Sequence, residues 1–200
     1  MMQALTAIAV LMFVSAITPG PNNMIVLRRA SSGGLVAAIP AMTGIVVGGV
    51  AMFALAEAGL AALVVDSPRL LTAIVLGGGL YLAYLGLVLM RSSGAPTTAA
   101  VSAGGGVLAM FAFQFANPKA WVLVMTAVGA SRRAGDPQGW LDVATVPALF
   151  AVISLACLCA WALLGRLASR LTQASSARAW FDRVMGLVLI ASAISLLMNE

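Results

Sequence analysis

Apolar residues fill most of the chain in long blocks, and the polar positions that interrupt them mark its elements. Residues 2 to 27 are apolar except around Thr18-Pro19-Gly20-Pro21-Asn22-Asn23, and Arg28-Arg29 closes the block, which predicts a first helix broken at 19 to 23. Ser31-Ser32-Gly33-Gly34 reads as a turn. A second helix over about 35 to 63 holds Pro40 near its start, Gly44, Gly48 and Gly49 at spacings that admit a second backbone, and Glu57. Asp66-Ser67-Pro68-Arg69 is a polar turn opening a third helix, about 69 to 90, with Gly77-Gly78-Gly79 and with Tyr81 and Tyr84 on adjoining turns. Residues 92 to 106 are uncharged and rich in Ser, Gly, Ala, Thr and Pro, the composition of a linker. A fourth helix, about 107 to 130, is broken at Asn117-Pro118, because proline removes a helix hydrogen bond and disfavours helical geometry before it. Ser131 to Gln138 is a polar loop, followed by a fifth helix over about 140 to 165 with Pro147 near its start. A basic amphipathic connector from Gly165 to Ala179 leads to a sixth helix, about 180 to 198.

Apolar runs of about 18 residues or more are membrane spans. The fold class expected is an all-α integral membrane protein, one membrane transport domain over 1–200 with six transmembrane helices, of which helices 1 and 4 are broken. The halves 1–91 and 107–200 show short likenesses. Ile39-Pro40-Ala41-Met42 matches Val146-Pro147-Ala148-Leu149, and Gly79-Leu80-Tyr81-Leu82 matches Gly186-Leu187-Val188-Leu189, both at an offset of 107, while the breaks pair at an offset nearer 97. Three helices per half is an odd number, so two such copies form an inverted repeat, an arrangement common among secondary transporters. Positive residues are retained on the cytoplasmic side. Arg28, Arg29, Arg91, Arg166, Arg170, Arg178 and Arg183 fall on one face, against Arg69, Arg132 and Arg133 on the other, which places both termini outside the cytoplasm. A five-span alternative, with one broken segment re-entrant, puts the termini on opposite sides.

Composition sharpens this picture: 62% of residues are hydrophobic, 8% are charged and none is histidine, far from the mix of a soluble domain. The net charge of +5 does not mark a nucleic-acid binder, because the basic residues stand singly or in pairs at the ends of apolar runs. Cys157 and Cys159 point to different faces of one helix and cannot bridge without strain. With no histidine and no further cysteine, a metal role for them is not expected, and no cofactor is implied. The N-terminus lacks the basic region and cleavage site of a secretory signal, so the first apolar run is expected to be retained. No nucleophile is paired with a base, so an enzyme is not expected.

A break in a membrane helix frees backbone groups that hydrocarbon cannot satisfy, so it persists where protein buries it or a wet cavity lines it. Two breaks in corresponding positions point to a cavity. Half-helices beginning near Asn22 and Pro118 present free N–H groups and partial positive charge to the membrane interior, which suits a carboxylate. Carbonyls near Ile17 and Phe115 could receive an ammonium, and the amides of Asn22, Asn23, Gln114 and Asn117 can donate or accept. The simpler alternative is that Pro19, Gly20, Pro21 and Pro118 only kink two helices while the asparagines cap them. Lys119 and Glu57 are ionisable residues inside apolar spans, each costing a few kcal/mol unless paired or wet. Lys119, directly after its break, is placed to hold a substrate carboxylate, and Glu57 is a candidate for an ammonium or a coupling proton; both also fit a structural pair or side chains snorkelling to the interface. Tyr81 and Tyr84 either line the pocket or pack and anchor at an interface. Arg28 lies so close after Asn23 that it would have to snorkel.

Pro19-Gly20-Pro21-Asn22-Asn23, Ala58-Gly59-Leu60, Gly78-Gly79-Leu80-Tyr81-Leu82-Ala83-Tyr84-Leu85-Gly86 and Phe115-Ala116-Asn117-Pro118-Lys119-Ala120, in this order along essentially the whole chain, resemble the LysE/RhtB family of bacterial amino-acid exporters. The resemblance implies an efflux carrier of the bacterial inner membrane, coupled to protons, for amino acids or related zwitterionic metabolites. It carries motif positions onto Gly20, Pro21, Asn22, Asn117, Pro118 and Lys119; Glu57 falls on no such motif. The expected partners are a small-molecule amino acid, protons and the lipid bilayer. The glycines of helices 2 and 3 allow either close packing within the chain or a homodimer. A membrane scaffold or assembly subunit without transport, and an exporter of a cation or other solute, remain the alternatives.

Overall fold

The computed structural model describes residues 2–59, 67–91, 106–133, 144–171 and 175–198. Seven α-helices account for nearly all of them: α1 (Met2–Ile17), α2 (Pro21–Glu57), α3 (Pro68–Met90), α4 (Val107–Phe115), α5 (Pro118–Arg133), α6 (Val146–Leu171) and α7 (Ser175–Met198). Among the described residues α2 and α6 are long and apolar enough to cross a bilayer. The pair α4 and α5, bent by 65°, makes a third span when counted as one, and α1 and Leu76–Met90 are shorter apolar helices.

Both expected breaks are present. Pro19 disfavours helical geometry at Thr18 and ends α1, and Pro21 starts α2 with the torsion angle a first helical turn needs. Asn117-Pro118 repeats the device between α4 and α5. The turn expected at 31–34 is reduced to one residue: the helix continues through Ser31 and Ser32, whose hydroxyls donate to the Arg28 carbonyl at 2.8 Å, and only Gly34 departs, with φ 76° and ψ −178°. The second helix ends earlier than expected, at Glu57, and Gly59 follows with φ 78°. Glu57 is therefore a helix end. The connector expected from Gly165 is largely helix, since α6 runs on to Leu171 and α7 begins at Ser175. The polar loop after Ala130 likewise starts later, because α5 reaches Arg133. Most of the linker, 92–105, lies outside the described residues, as do 60–66 and 134–143.

Glycines set how closely the helices approach. A Cβ on Gly44 would stand 2.3 Å from the Val107 carbonyl oxygen, so α2 and α4 touch backbone to backbone. Gly86 of α3 and Gly186 of α7 meet reciprocally: a Cβ on either would lie 2.8 or 2.6 Å from the other's carbonyl oxygen. The most extensive packing joins α2 to α6 and α3 to α7. Two apolar clusters result, one around Met24, Ile45, Leu82, Met110, Leu158 and Leu189, the other around Met12, Phe53, Leu123, Val124 and Phe150. Leu80, Leu87, Val122, Val152, Leu163 and Leu187 point outward. An exterior as apolar as the core is the mark of lipid contact, and the chain is a membrane protein.

Candidate functional site

The two breaks meet. Asn22 Nδ2 donates to Gln114 Oε1 at 2.7 Å, and Lys119 Nζ donates to the Thr18 carbonyl at 3.0 Å, so each break reaches across to the other from about a hundred residues away. Between them lies a cavity lined by Gly20, Pro21, Asn22, Asn23, Gln114, Asn117 and Lys119 on its polar side. Ser15, Ala16 and Ala120 join them, and Ile45, Leu123, Phe150, Ser154 and Leu158 form the remaining wall. It offers about 60 Å³ in which the centre of a water molecule can sit, room for several waters at about 10–15 Å³ each. The cavity occupies the seam between the two apolar clusters, taking Ile45 and Leu158 from one and Leu123 and Phe150 from the other.

The breaks are chemically unlike. At the second, Asn117 Oδ1 accepts the Lys119 amide at 3.1 Å, so the asparagine caps its own helix. At the first, no side chain caps α2. Asn23 turns backward, donating Nδ2 to the carbonyls of Ala16 and Thr18 at 2.9 Å each, and the first bond returning to the cap is Met24 N–H to the Gly20 carbonyl at 3.0 Å. Pro21 has no N–H, which leaves the amides of Asn22 and Asn23 at the positive end of a long helix, beside the cavity. Among the described residues Asn22 Oδ1 has no hydrogen-bond partner, an acceptor left open in a buried setting. The carbonyl ends of α1 and α4 are better satisfied than expected. Ile17 accepts Trp161 Nε1 at 3.3 Å and Phe115 accepts Trp121 Nε1 at 2.7 Å, so indoles hold the two carbonyls that could have received an ammonium. The ammonium found at the α1 end is that of Lys119.

Gly20 runs beside the lysine: a Cβ on it would lie 3.4 Å from Lys119 Nζ, an ordinary contact. Gly48, one face of α2, lets Gln114 lie flat, since a Cβ there would be 2.9 Å from its Cγ. Gln114 is 2% exposed, and its amide is thus aimed at Asn22 by close helix packing.

Of the other residues singled out, Pro118 begins α5 at the second break. Tyr81 packs its ring on Phe113, centroids 5.2 Å apart, and Tyr84 is 56% exposed; neither lines the cavity. Glu57, at the end of α2, is also outside the lining. Sequence reasoning missed the apolar wall of Ile45, Leu123, Phe150 and Leu158, and Ser15 and Ser154, because in so apolar a chain nothing distinguishes a cavity-facing residue from a lipid-facing one. It also missed Asp182. Arg28 does not snorkel: it is paired with this buried carboxylate, whose only sequence signal was being an acid on a face otherwise lined with arginines.

The sequence model of the LysE type translocator family matches residues 13–200. A leucine efflux protein of Enterobacter sp. (strain 638) is 32% identical over 113 residues, 54% of this chain and 54% of the relative. The chain thus spans about half the length of the curated relative it matches. No solved structure matches.

Proposed function

Because the chain belongs to the LysE type translocator family, we propose that it is a secondary active exporter of amino acids or related small zwitterionic metabolites in the bacterial inner membrane, coupled to protons. The observation that carries this reading is the meeting of two helix breaks around one cavity, with Lys119 of the second bonded to Thr18 of the first. The leucine efflux protein that the chain matches over about half of each sequence agrees with it.

In this reading the substrate carboxylate takes the free amides at the start of α2 and draws Lys119 toward itself, a charge-assisted contact stronger than the lysine's bond to a neutral carbonyl. The Thr18 carbonyl so released, with Asn22 Oδ1, accepts the substrate ammonium. Lys119 therefore acts as a resident ammonium that the substrate replaces. Gln114 holds the two breaks in register through its bond with Asn22, and Asn117 caps the half-helix that carries Lys119. The reciprocal contact of Gly86 with Gly186 supports two inverted repeats, 1–91 and 107–200, joined by the linker 92–106, and a rocking of one against the other would expose the cavity to each side in turn. Glu57 is the proposed proton carrier, acting from the end of α2 rather than within the cavity.

Purified protein in vesicles loaded with radiolabelled amino acids tests the proposal. Protein-dependent efflux that accelerates with an imposed pH gradient is expected, and Glu57→Gln should retain exchange but lose the response to the gradient. Vesicles that leak no amino acid faster than protein-free controls would sink it and favour a scaffold.

A further inference from the structure

The cavity has two unlike walls. Its polar wall gathers at the breaks; the opposite wall is mostly hydrocarbon, made by Ile45 of α2, Leu123 of α5 and Phe150 and Leu158 of α6, with the Ser154 hydroxyl its one polar group. Among the described residues that line it, Lys119 is the sole ionisable group and there is no carboxylate. A substrate held by its head groups at the breaks therefore meets apolar surface with its side chain. A cationic side chain would give up its hydration there for a single neutral hydroxyl, that of Ser154, and no opposite charge, a loss large enough to exclude it.

The depth of that wall is set by one ring. Phe150 lies directly on the Gly49 Cα: a Cβ on Gly49 would come within 2.3 Å of both Cε1 and Cζ. The same ring tilts against Phe53, one turn further along the same face of α2, centroids 5.2 Å apart. Phe150 is thus seated in a notch that the missing side chain of Gly49 leaves, with its edge on the cavity. Ser154 and Leu158 follow it at four-residue intervals along the same stripe of α6, so the ring stands at one end of the apolar wall.

From these contacts we infer that the site selects neutral aliphatic side chains and that Phe150, seated on Gly49, limits their size. The inference rests on the exporter reading and adds to it the substrate class and the residue that sets it.

The test is a competition assay on the full chain in vesicles loaded with equal amounts of radiolabelled alanine, leucine, phenylalanine and lysine. Wild type is expected to release leucine ahead of phenylalanine, with lysine at background. Phe150→Ala should raise the phenylalanine-to-leucine ratio about tenfold or more, the scale on which pocket methylenes discriminate. Phe150→Leu, which keeps the notch filled and guards against a collapsed variant, should shift it in the same direction by less. Gly49→Ala, by pushing the ring into the cavity, should lower the leucine-to-alanine ratio, whereas Val152→Ala, on the outward face of the same helix, should leave the ratios as in wild type. Leucine efflux that persists with an unaltered profile in both Phe150 variants, or lysine released by wild type as fast as leucine, overturns the inference and leaves the exporter reading standing. Wild-type vesicles that release none of the amino acids overturn both.

Discussion

Arg28 and Asp182 form a two-point ion pair, Nε to Oδ1 at 2.7 Å and Nη2 to Oδ2 at 2.8 Å, that ties α2 to α7 across the body of the protein. The side chains are only 11% and 4% exposed. Nη2 donates the hydrogen bond, and the nearness of Nε to Oδ1 adds charge attraction. The pair sits about two helical turns beyond Asn22, with the buried residues Met24, Ile25, Val26 and Leu27 in between.

Removing one partner leaves the other charged and buried, a loss of about 3–5 kcal/mol. Asp182→Ala is therefore expected to fold poorly, read as a lower unfolding midpoint in detergent and less monodisperse protein. The exchanged pair Arg28→Asp with Asp182→Arg should recover part of the loss. A double variant no better than the worse single one would show that the pairing itself contributes little.

Lys119→Ala removes the ammonium from the Thr18 carbonyl and from the cavity. A hydrogen bond to a charged group is worth about 1.5–3 kcal/mol, so efflux should fall about 10- to 100-fold. Lys119→Arg keeps the charge, but its fork crowds Gly20 and should restore only part of the rate. Flux measurements at saturating internal substrate separate this from a change in affinity.

Gly44→Ala and Gly77→Ala should have opposite outcomes although both lie inside helices. The first sets a methyl 2.3 Å from the Val107 carbonyl and forces α2 from α4, at a cost of about 1–3 kcal/mol or more. The second meets nothing within 4 Å and removes the entropic cost of a helical glycine, a gain of roughly 0.5–1 kcal/mol. Unfolding midpoints of the two variants beside wild type are the check.

Gly34→Ala isolates backbone strain, because nothing lies within 4 Å of the added methyl while φ is +76°. Forcing an L-residue into that region costs roughly 1–2 kcal/mol. The variant should lower the unfolding midpoint by an amount that Gly33→Ala, one position earlier in ordinary helix, does not.

How much of this was legible in the chain follows from which residues act locally. Pro19 and Pro21 flank Gly20 and Pro118 follows Asn117, combinations that interrupt a helix locally where Pro40 alone does not, so the breaks could be located to within a residue or two, and their amides named, before any fold was known. Gly44 and Gly48 could be recognised as points of close approach, but not what approaches them. Ser31 to Gly34 was misjudged as a full turn because serines favour turns; here their hydroxyls bond back to Arg28 and extend the helix instead. Glu57 was read as lying inside a span because the apolar run continues past it, whereas the helix stops there.

By itself, then, the sequence determined an all-helical membrane chain with two interrupted helices and a lysine at one interruption, since composition and proline chemistry need no partner to take effect. Only the tertiary structure decided that the interruptions face one another, that Lys119 lies on Thr18, that Arg28 finds Asp182, and that Phe150 rests on Gly49. The physical reason is that lipid tails are as apolar as a protein core, so outward and inward residues of these helices carry the same hydropathy. Which face turns inward is then set by close packing of small residues against distant backbones, a relation between positions about a hundred residues apart that no local pattern records.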